Sequence, residues 1–441
     1  MQINRNEIEI MAPVGSFESL SAAIQAKADA VYFGAGNLNM RSGSSMNFGI
    51  DDLQKITQIC KENNVKSYLT LNTVIYDEDF ENMKTLIDFA KNSEIDAVIA
   101  SDFAVIEYAR RQNVTVHCST QLNISNSYSL KYFAKYAEVI VLARELNLQQ
   151  VEKIHKYINE NQIKSPSGNL VRIEMFIHGA LCMAISGKCY LSLHEQNRSA
   201  NRGACVQVCR RSYRVFLDEE MNTSPYPLKK GEFITPLHCN SPFLRGQGDE
   251  LKIENQYIMS PKDLCTISFL DKILQAGARV LKIEGRGRSP EYVKRVVECY
   301  NQALDAIIAD EYSKELIDEL TIKLSEVFNR GFWDGYYLGR KLGEWSERHS
   351  SSATKRKEFI GVATNYFSRI GVGEFIVQTG ELNIGDEVII IGPTTGVLEL
   401  TVKEIHDDNG SIDCAKKGQL FAIPVPDKIR RNDKLYRLVE N

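Results

Sequence analysis

Ile8-Glu9-Ile10-Met11-Ala12-Pro13-Val14-Gly15-Ser16 is a short apolar run that stops at Pro13 and Gly15, with Ser16 placed to cap a helix reaching about Lys27. Val31-Tyr32-Phe33-Gly34 repeats the run, and an amphipathic stretch over residues 51–64 follows it. Strand, helix and strand in this order make a parallel βαβ unit. The same alternation continues outward. Strands are expected over residues 67–71, 97–100, 115–118, 139–142, 172–177 and 280–283, and helices over 78–91, 103–111, 128–135, 148–158 and 290–308. Eight strands alternating with helices favour an α/β fold of the closed (β/α)8, TIM-like type, with a doubly wound open sheet as the alternative.

One connection breaks the rhythm. Residues 179–263 are far too long for a βα loop of roughly 2–6 residues. They form an insertion after strand seven, at the C-terminal rim where barrels of this type place their active sites. After Leu342 the composition changes again. Residues 343–357 read as a charged, Ser-rich linker, and residues 358–441 as a small all-β barrel of short strands broken by Gly, Pro, Asn and Asp. The domains expected are therefore 1–342, the linker 343–357, and 358–441.

The chain has 441 residues, 43% hydrophobic and 25% charged, with a net charge of −4. This is the composition of a soluble globular protein, and no global basic field advertises nucleic acid. No apolar run is long enough to span a membrane and no signal core opens the chain, so a cytoplasmic location is expected. Cysteines there stay reduced, and clustered ones are read as metal-binding or catalytic.

Four of the ten cysteines, Cys182, Cys189, Cys205 and Cys209, open the insertion at C-x6-C-x15-C-x3-C among Gly, Ser and Arg. Thiolates in polar loop sequence have little packing to do and suit soft ligation. Zinc is one occupant, but its sites usually pair cysteines as two close knuckles, and only Cys205 and Cys209 are that close. The looser spacing favours an iron–sulfur cluster held by a folded-back loop. Cys239 and Cys265 lie further along, and either could replace one of the four. Cys60, Cys118, Cys299 and Cys414 sit in apolar or helical patterns where burial is expected.

Arg198, Arg202, Arg210, Arg211 and Arg214 crowd the same segment with no acid among them, interleaved with Tyr190 and Tyr213. Arginine forks and aromatic faces suit phosphate, carboxylate or a base. A second basic run, Lys282-Ile283-Glu284-Gly285-Arg286-Gly287-Arg288, leaves strand eight at the same rim. His178 stands beside the cysteines, either as a base or as support for them, and a Cys182–His178 nucleophilic pair is conceivable. Asn72, Ser119, Thr120, Gln121 and Arg144 follow strands and are candidates for the barrel mouth. No H-E-x-x-H or G-x-S-x-G motif is present.

Through Ile177-His178-Gly179-Ala180-Leu181-Cys182 and Asn201-Arg202-Gly203-Ala204-Cys205-x3-Cys209-Arg210, the chain closely resembles the peptidase U32 family, historically labelled collagenase-like proteases. Ala12-Pro13-Val14-Gly15, the run from Asp29 to Gly34, and Lys282-Ile283-Glu284-Gly285-Arg286 carry the same likeness, over about residues 6–340. Within the family it looks most like the branch that converts wobble uridine of tRNA to 5-hydroxyuridine. The resemblance implies a [4Fe-4S] cluster on Cys182, Cys189, Cys205 and Cys209, prephenate as co-substrate, and tRNA as partner. Other branches act on ribosomal RNA cytidine or on ubiquinone precursors. In the ubiquinone branch the fourth ligand lies further downstream, which makes Cys239 the alternative to Cys209. The C-terminal segment, through residues 380–388 and Arg431-Asn432-Asp433, resembles domain two of translation elongation factors. From these readings His178, Arg202, Arg210, Lys282, Glu284 and Arg286 are the expected catalytic or substrate-binding residues. Zinc remains the alternative metal, and a peptidase the alternative activity.

Overall fold

The computed structural model describes residues 4–43, 47–213, 243–245, 251–253, 256–340 and 342–441. Eight parallel strands pair in chain order: β1 (Glu9–Pro13), β2 (Ala30–Phe33), β3 (Lys66–Leu71), β4 (Ala97–Ala100), β5 (Val116–Cys118), β6 (Val139–Val141), β7 (Arg172–Ala180) and β8 (Ala278–Ile283). Strand β8 pairs with both β1 and β7, so the sheet closes into the expected barrel. The helices begin where the sequence signals them. Ser16 accepts from Ser19 N ahead of Phe17–Gln25, and Asp102 from Ala104 N ahead of Phe103–Arg111. Among the described residues no helix is long and apolar enough to cross a membrane.

The strands bury both faces, as a barrel sheaths its sheet in helices. Outward residues such as Ile10, Phe33, Leu69 and Ile140 pack under the helices, while Met11, Tyr32, Tyr68, Ile99, Val139 and Val280 fill the lumen. Charge enters the lumen from below. Glu9 accepts from Lys66 Nζ at 2.8 Å, Tyr68 OH at 2.8 Å and Arg172 Nη1 at 3.2 Å. Burial alone would raise the Glu9 pKa, but Arg172 and Lys66 more than reverse this and hold it below the usual carboxylate value. His117 packs against Tyr68, ring centroids 4.6 Å apart, and burial pushes its pKa down to about 3.

Strand β7 is longer than its neighbours because the insertion returns to it. Asp263–Cys265 runs antiparallel to its end, pairing Asp263 with Ala180, Leu264 with Gly179 and Cys265 with His178. Phe332–Trp333 then pairs with Asp263–Cys265. Strands of two or three residues carry no readable periodicity, and neither was expected. The helix Lys314–Ser325 was also left out, although Ser313 caps it by accepting from Leu316 N at 3.2 Å.

The C-terminal part is an eight-stranded antiparallel sheet, ordered Gly396–Thr401, Glu387–Gly392, Lys434–Glu440, Lys355–Phe367, Val372–Val377, Leu420–Pro424, Ile405–Asp407 and Gly410–Ile412. It encloses its own core of Ile360, Phe375, Val388, Ile390, Phe421 and Leu435. The strand Lys355–Phe367 begins inside the segment read as linker, because Lys355, Arg356 and Lys357 form ladder pairs with the C-terminal strand despite their charge. The sheet docks on the barrel through Ile389, Ile391 and Val397 against Ala22. Gln25 fixes the register, donating to Thr395 O at 2.7 Å and accepting from Val397 N at 2.9 Å. Arg295 and Glu399 pair alongside at 2.8 Å.

Two stability outcomes follow. Gly179 has φ +104°, and a Cβ there would lie 2.3 Å from Glu284 O across the β7–β8 seam. Gly179→Ala is expected to cost about 2–4 kcal/mol, read by denaturant unfolding. His117 and His178 are both buried, each with its pKa pushed down to about 3. The unfolded chain takes up their protons below pH ~6.5 while the folded one does not. Stability should therefore fall as pH drops from about 6.5 towards 3, by up to ~1.4 kcal/mol per pH unit for each histidine. A urea series from pH 7 to 4.5 measures this slope.

Candidate functional site

At the C-terminal end of β8 the period of two turns Lys282, Glu284 and Arg286 to one side and Ile283 to the other. All three line a cavity of about 400 Å³ at the barrel mouth. Lys282 Nζ donates to Glu174 Oε1 at 2.7 Å and lies 4.5 Å from the Tyr32 ring centre. Glu174 is fully buried and its Oε2 makes no hydrogen bond; burial raises its pKa even against Lys282. Glu284 accepts from Arg41 Nη2 at 2.7 Å and from Tyr32 OH at 3.3 Å. Burial works against its carboxylate, but Arg41 and Arg286 prevail and keep its pKa low. Arg286 donates to Thr70 Oγ1 at 2.8 Å and Asn39 Oδ1 at 3.0 Å, and burial pushes its pKa down to about 10. It stays charged at neutral pH.

Asn72, Ser119, Thr120, Gln121 and Arg144 complete the mouth, as their positions after strands suggested. Arg144 lies 5.1 Å from the Phe176 ring centre and donates to Ser186 Oγ at 2.7 Å. The cavity thus gathers Arg41, Arg144, Lys282 and Arg286 around Glu284, the one carboxylate that lines it among the described residues. Such a balance suits a small anion beside a polar or aromatic body.

The first part of the insertion, residues 181–213, lies across this mouth as a lid. Gly43 N donates to Gly203 O at 2.9 Å, Val74 N to Asn201 O at 3.3 Å, and Asn123 Nδ2 to Ser186 O at 3.1 Å. Gly203 is needed at one of these ties: its φ is +80°, and a Cβ would sit 2.3 Å from Asn39 O. Cys182, Cys189, Cys205 and Cys209 all line the same cavity, and none forms a disulfide. Ser192 Oγ lies 3.8 Å from Cys205 Sγ. Burial pushes the Cys209 thiol up to about 11, with Cys182, Cys205 and Cys189 near enough to add to the shift. Among the described residues no three His, Cys, Asp or Glu side chains are gathered to hold a single metal ion.

Of the expected site residues, His178 and Arg202 lie off the cavity, and Arg210 lines it but is held by the backbone. His178 is buried on the outer side of β7 among Tyr292, Tyr300 and Phe332, with its Nδ1 3.4 Å from Tyr300 OH, and does not line the cavity. A β-bulge explains this: Lys282 pairs with Phe176 and Ile283 with His178, so the extra residue Ile177 shifts the alternation and His178 leaves the face that Phe176 presents to the cavity. Arg202 is committed to Asp79, at 2.5 and 3.1 Å, to Val74 O at 2.7 Å and to the Tyr76 ring, 4.4 Å away. It anchors the lid rather than a substrate. Arg210 lines the cavity, but its guanidinium donates to Leu181 O, to Pro261 O at 2.5 Å and to Ser260 Oγ at 3.2 Å, clipping the two ends of the insertion together.

The rest of the arginine cluster is structural in the same way. Arg198 donates to Gly43 O at 3.2 Å and Arg211 pairs with Glu195 at 3.3 Å. Arg288 stacks on Phe328 at 3.6 Å. Arg214 and Cys239 lie outside the described residues. Cys265 is buried, as are Cys60, Cys118 and Cys299, whereas Cys414 is only partly so. Arg41, Glu174, Tyr32 and Thr70 were missed. Glu174 had a signal, a lone acid inside an apolar strand; Arg41 sits in a turn with none.

The family model for peptidase family U32 matches residues 15–347. A collagenase of Porphyromonas gingivalis is 54% identical over 435 residues, covering 99% of each chain. The tRNA hydroxylation protein P1 of Bacillus subtilis is 30% identical over 418 residues, covering 92% of this chain and 89% of that one. A U32 peptidase of known structure superposes with a TM-score of 0.36 at 12% identity, covering 63% of this chain and 93% of its own. By the family match over residues 15–347, the chain belongs to peptidase family U32.

Proposed function

We propose that the protein hydroxylates a pyrimidine of RNA, the wobble uridine of tRNA at C5, with a [4Fe-4S] cluster on Cys182, Cys189, Cys205 and Cys209. The observation that carries this reading is that all four thiols face the same cavity as Arg41, Arg144, Lys282 and Arg286. A structural metal has no need of a cavity lined with buried cations. A single zinc, with zinc–sulfur bonds of ~2.3 Å, would draw its ligands tightly round one point. A cubane would take one thiolate at each of its four irons, and the four cysteines on this one cavity supply that number. When bound, the cluster would supply electron transfer beside the substrate.

The chain's own groups do the rest. Arg286, held by Thr70 and Asn39, and Arg144, held by Ser186, offer fixed charge to a carboxylate co-substrate such as prephenate. Glu284 orients Arg41 and accepts from Tyr32. The lid ties over the β2, β3 and β5 turns exclude bulk water and raise the strength of these contacts. The tRNA hydroxylation protein among the relatives supports this substrate class.

The name of the 54% identical relative favours a second reading, a collagenase-like peptidase. It would need a base beside Cys182, but among the described residues no histidine lines the cavity.

Three outcomes test the proposal. Anaerobically purified protein should carry about four irons per chain and a broad visible absorbance. Cys205→Ala should lose both, and cells relying on that variant should lose 5-hydroxyuridine from tRNA by nucleoside mass spectrometry. Zinc without iron in the wild type would overturn the cluster. Arg286→Ala should retain iron yet lower hydroxylation roughly a hundredfold. His178→Gln, with folding checked by circular dichroism, should keep hydroxylation; a peptidase using Cys182 and His178 would instead lose collagen cleavage.

A further inference from the structure

The helices after β4, β5 and β6, Phe103–Arg111, Ser127–Phe133 and Leu148–Glu160, carry aromatic rings that the fold leaves uncovered. Tyr128 is 79% exposed, Phe103 51% and Tyr132 46%. The rings form two sets: Phe103 lies 5.8 Å from Phe133, Tyr132 lies 5.3 Å from Phe133 and 5.7 Å from Tyr136, and Tyr128 lies 6.2 Å from Tyr157. Tyr128 and Tyr132 stand four residues apart on the one helix, which sets the two side by side. Isolated exposed rings need no explanation, but a contiguous group marks a contact surface.

The charge around them has one sign. Residues 108–137 contain Arg110, Arg111, Lys131 and Lys135 and no Asp or Glu. Arg110 lies 5.2 Å from the Tyr136 ring centre and Lys135 5.7 Å from that of Tyr132, so cations border the rings. On the flanking helices Glu107 pairs with Arg111 at 3.0 Å and Glu160 with Lys156 at 3.6 Å, and Glu152 lies on the helix that carries Tyr157.

The surface is also continuous with the site. Ser127–Phe133 follows the β5 turn, whose Ser119, Thr120 and Gln121 line the cavity, and Asn123 of that turn holds the lid at Ser186 O. We infer that this face is the docking track for the RNA substrate outside the cavity. Bases stack on Tyr128, Tyr132 and Phe103, and phosphates lie against Lys131, Lys135 and Arg110. The inference rests on the proposal that the substrate is RNA. A second copy of the chain is a poorer occupant, because a two-fold contact would set the basic stretch of residues 108–137 against itself.

The test uses the full-length, cluster-loaded protein and an unmodified tRNA transcript, with binding read by fluorescence anisotropy over a salt series. Tyr128→Ala with Tyr132→Ala should weaken binding roughly tenfold or more without lowering the melting temperature. Lys131→Gln with Lys135→Gln should reduce the slope of log affinity against log salt by about 1.5. Wild-type affinity and slope in both variants would overturn the docking track while leaving the RNA reading intact. Absence of tRNA binding by the wild type would overturn that reading and the track with it. A dimer by sedimentation that the tyrosine variant splits would assign the face to self-association instead.

Discussion

At the seam between β7 and β8, Glu284 N donates to His178 O at 2.8 Å, and Gly179 lets the two backbones come close enough for it. The contact closes the barrel. It also sets the start of the cysteine-bearing insertion beside the strand that delivers Lys282, Glu284 and Arg286. Two segments a hundred residues apart become one wall of a cavity because the last strand must meet the seventh. Had the sheet stayed open, the thiols and the buried cations would lie at opposite edges.

Ion pairs within the lumen carry the consequence inward. Glu9 with Lys66 and Arg172 fills the bottom, Glu174 with Lys282 the middle, and Glu284 with Arg41 the top. Buried pairs of this kind add little net stability over apolar packing, so their presence is better explained by what they hold in place. Here they keep charged groups extended towards the mouth and leave Glu174 Oε2 without a partner.

The barrel was legible because its strands and helices carry their own period, and several helices their own cap, as Ser16 and Asp102 show. The cysteine set was legible because nothing else explains thiols in polar loop sequence. The roles of the arginines were not. Arg202 and Arg286 look alike in a sequence, yet one grips Asp79 and carbonyl groups on the lid while the other is buried against Thr70 and Asn39. The difference comes from strand alternation and from which loop folds over which, and these are long-range facts. His178 shows the same limit: it precedes Cys182 by only four residues, yet the bulge at Ile177 turns its side chain to the outer side of β7 and away from the cavity. Short strands such as Phe332–Trp333 exist only through their partners.

The insertion leaves β7 at Ala180 and comes back to pair with it at Asp263. Its two ends are therefore pinned to each other, and Arg210 clips them again through Leu181 and Pro261. A segment closed on itself in this way touches the barrel at its loops, through Gly43, Val74 and Asn123, and leaves the strand ladder to itself. The entropic cost of a longer loop rises only with the logarithm of its length, about 0.6 kcal/mol per doubling. Between those pins, sequence can be gained, lost or exchanged while the eight strands keep their register. One barrel can then serve several substrates by changing its lid alone.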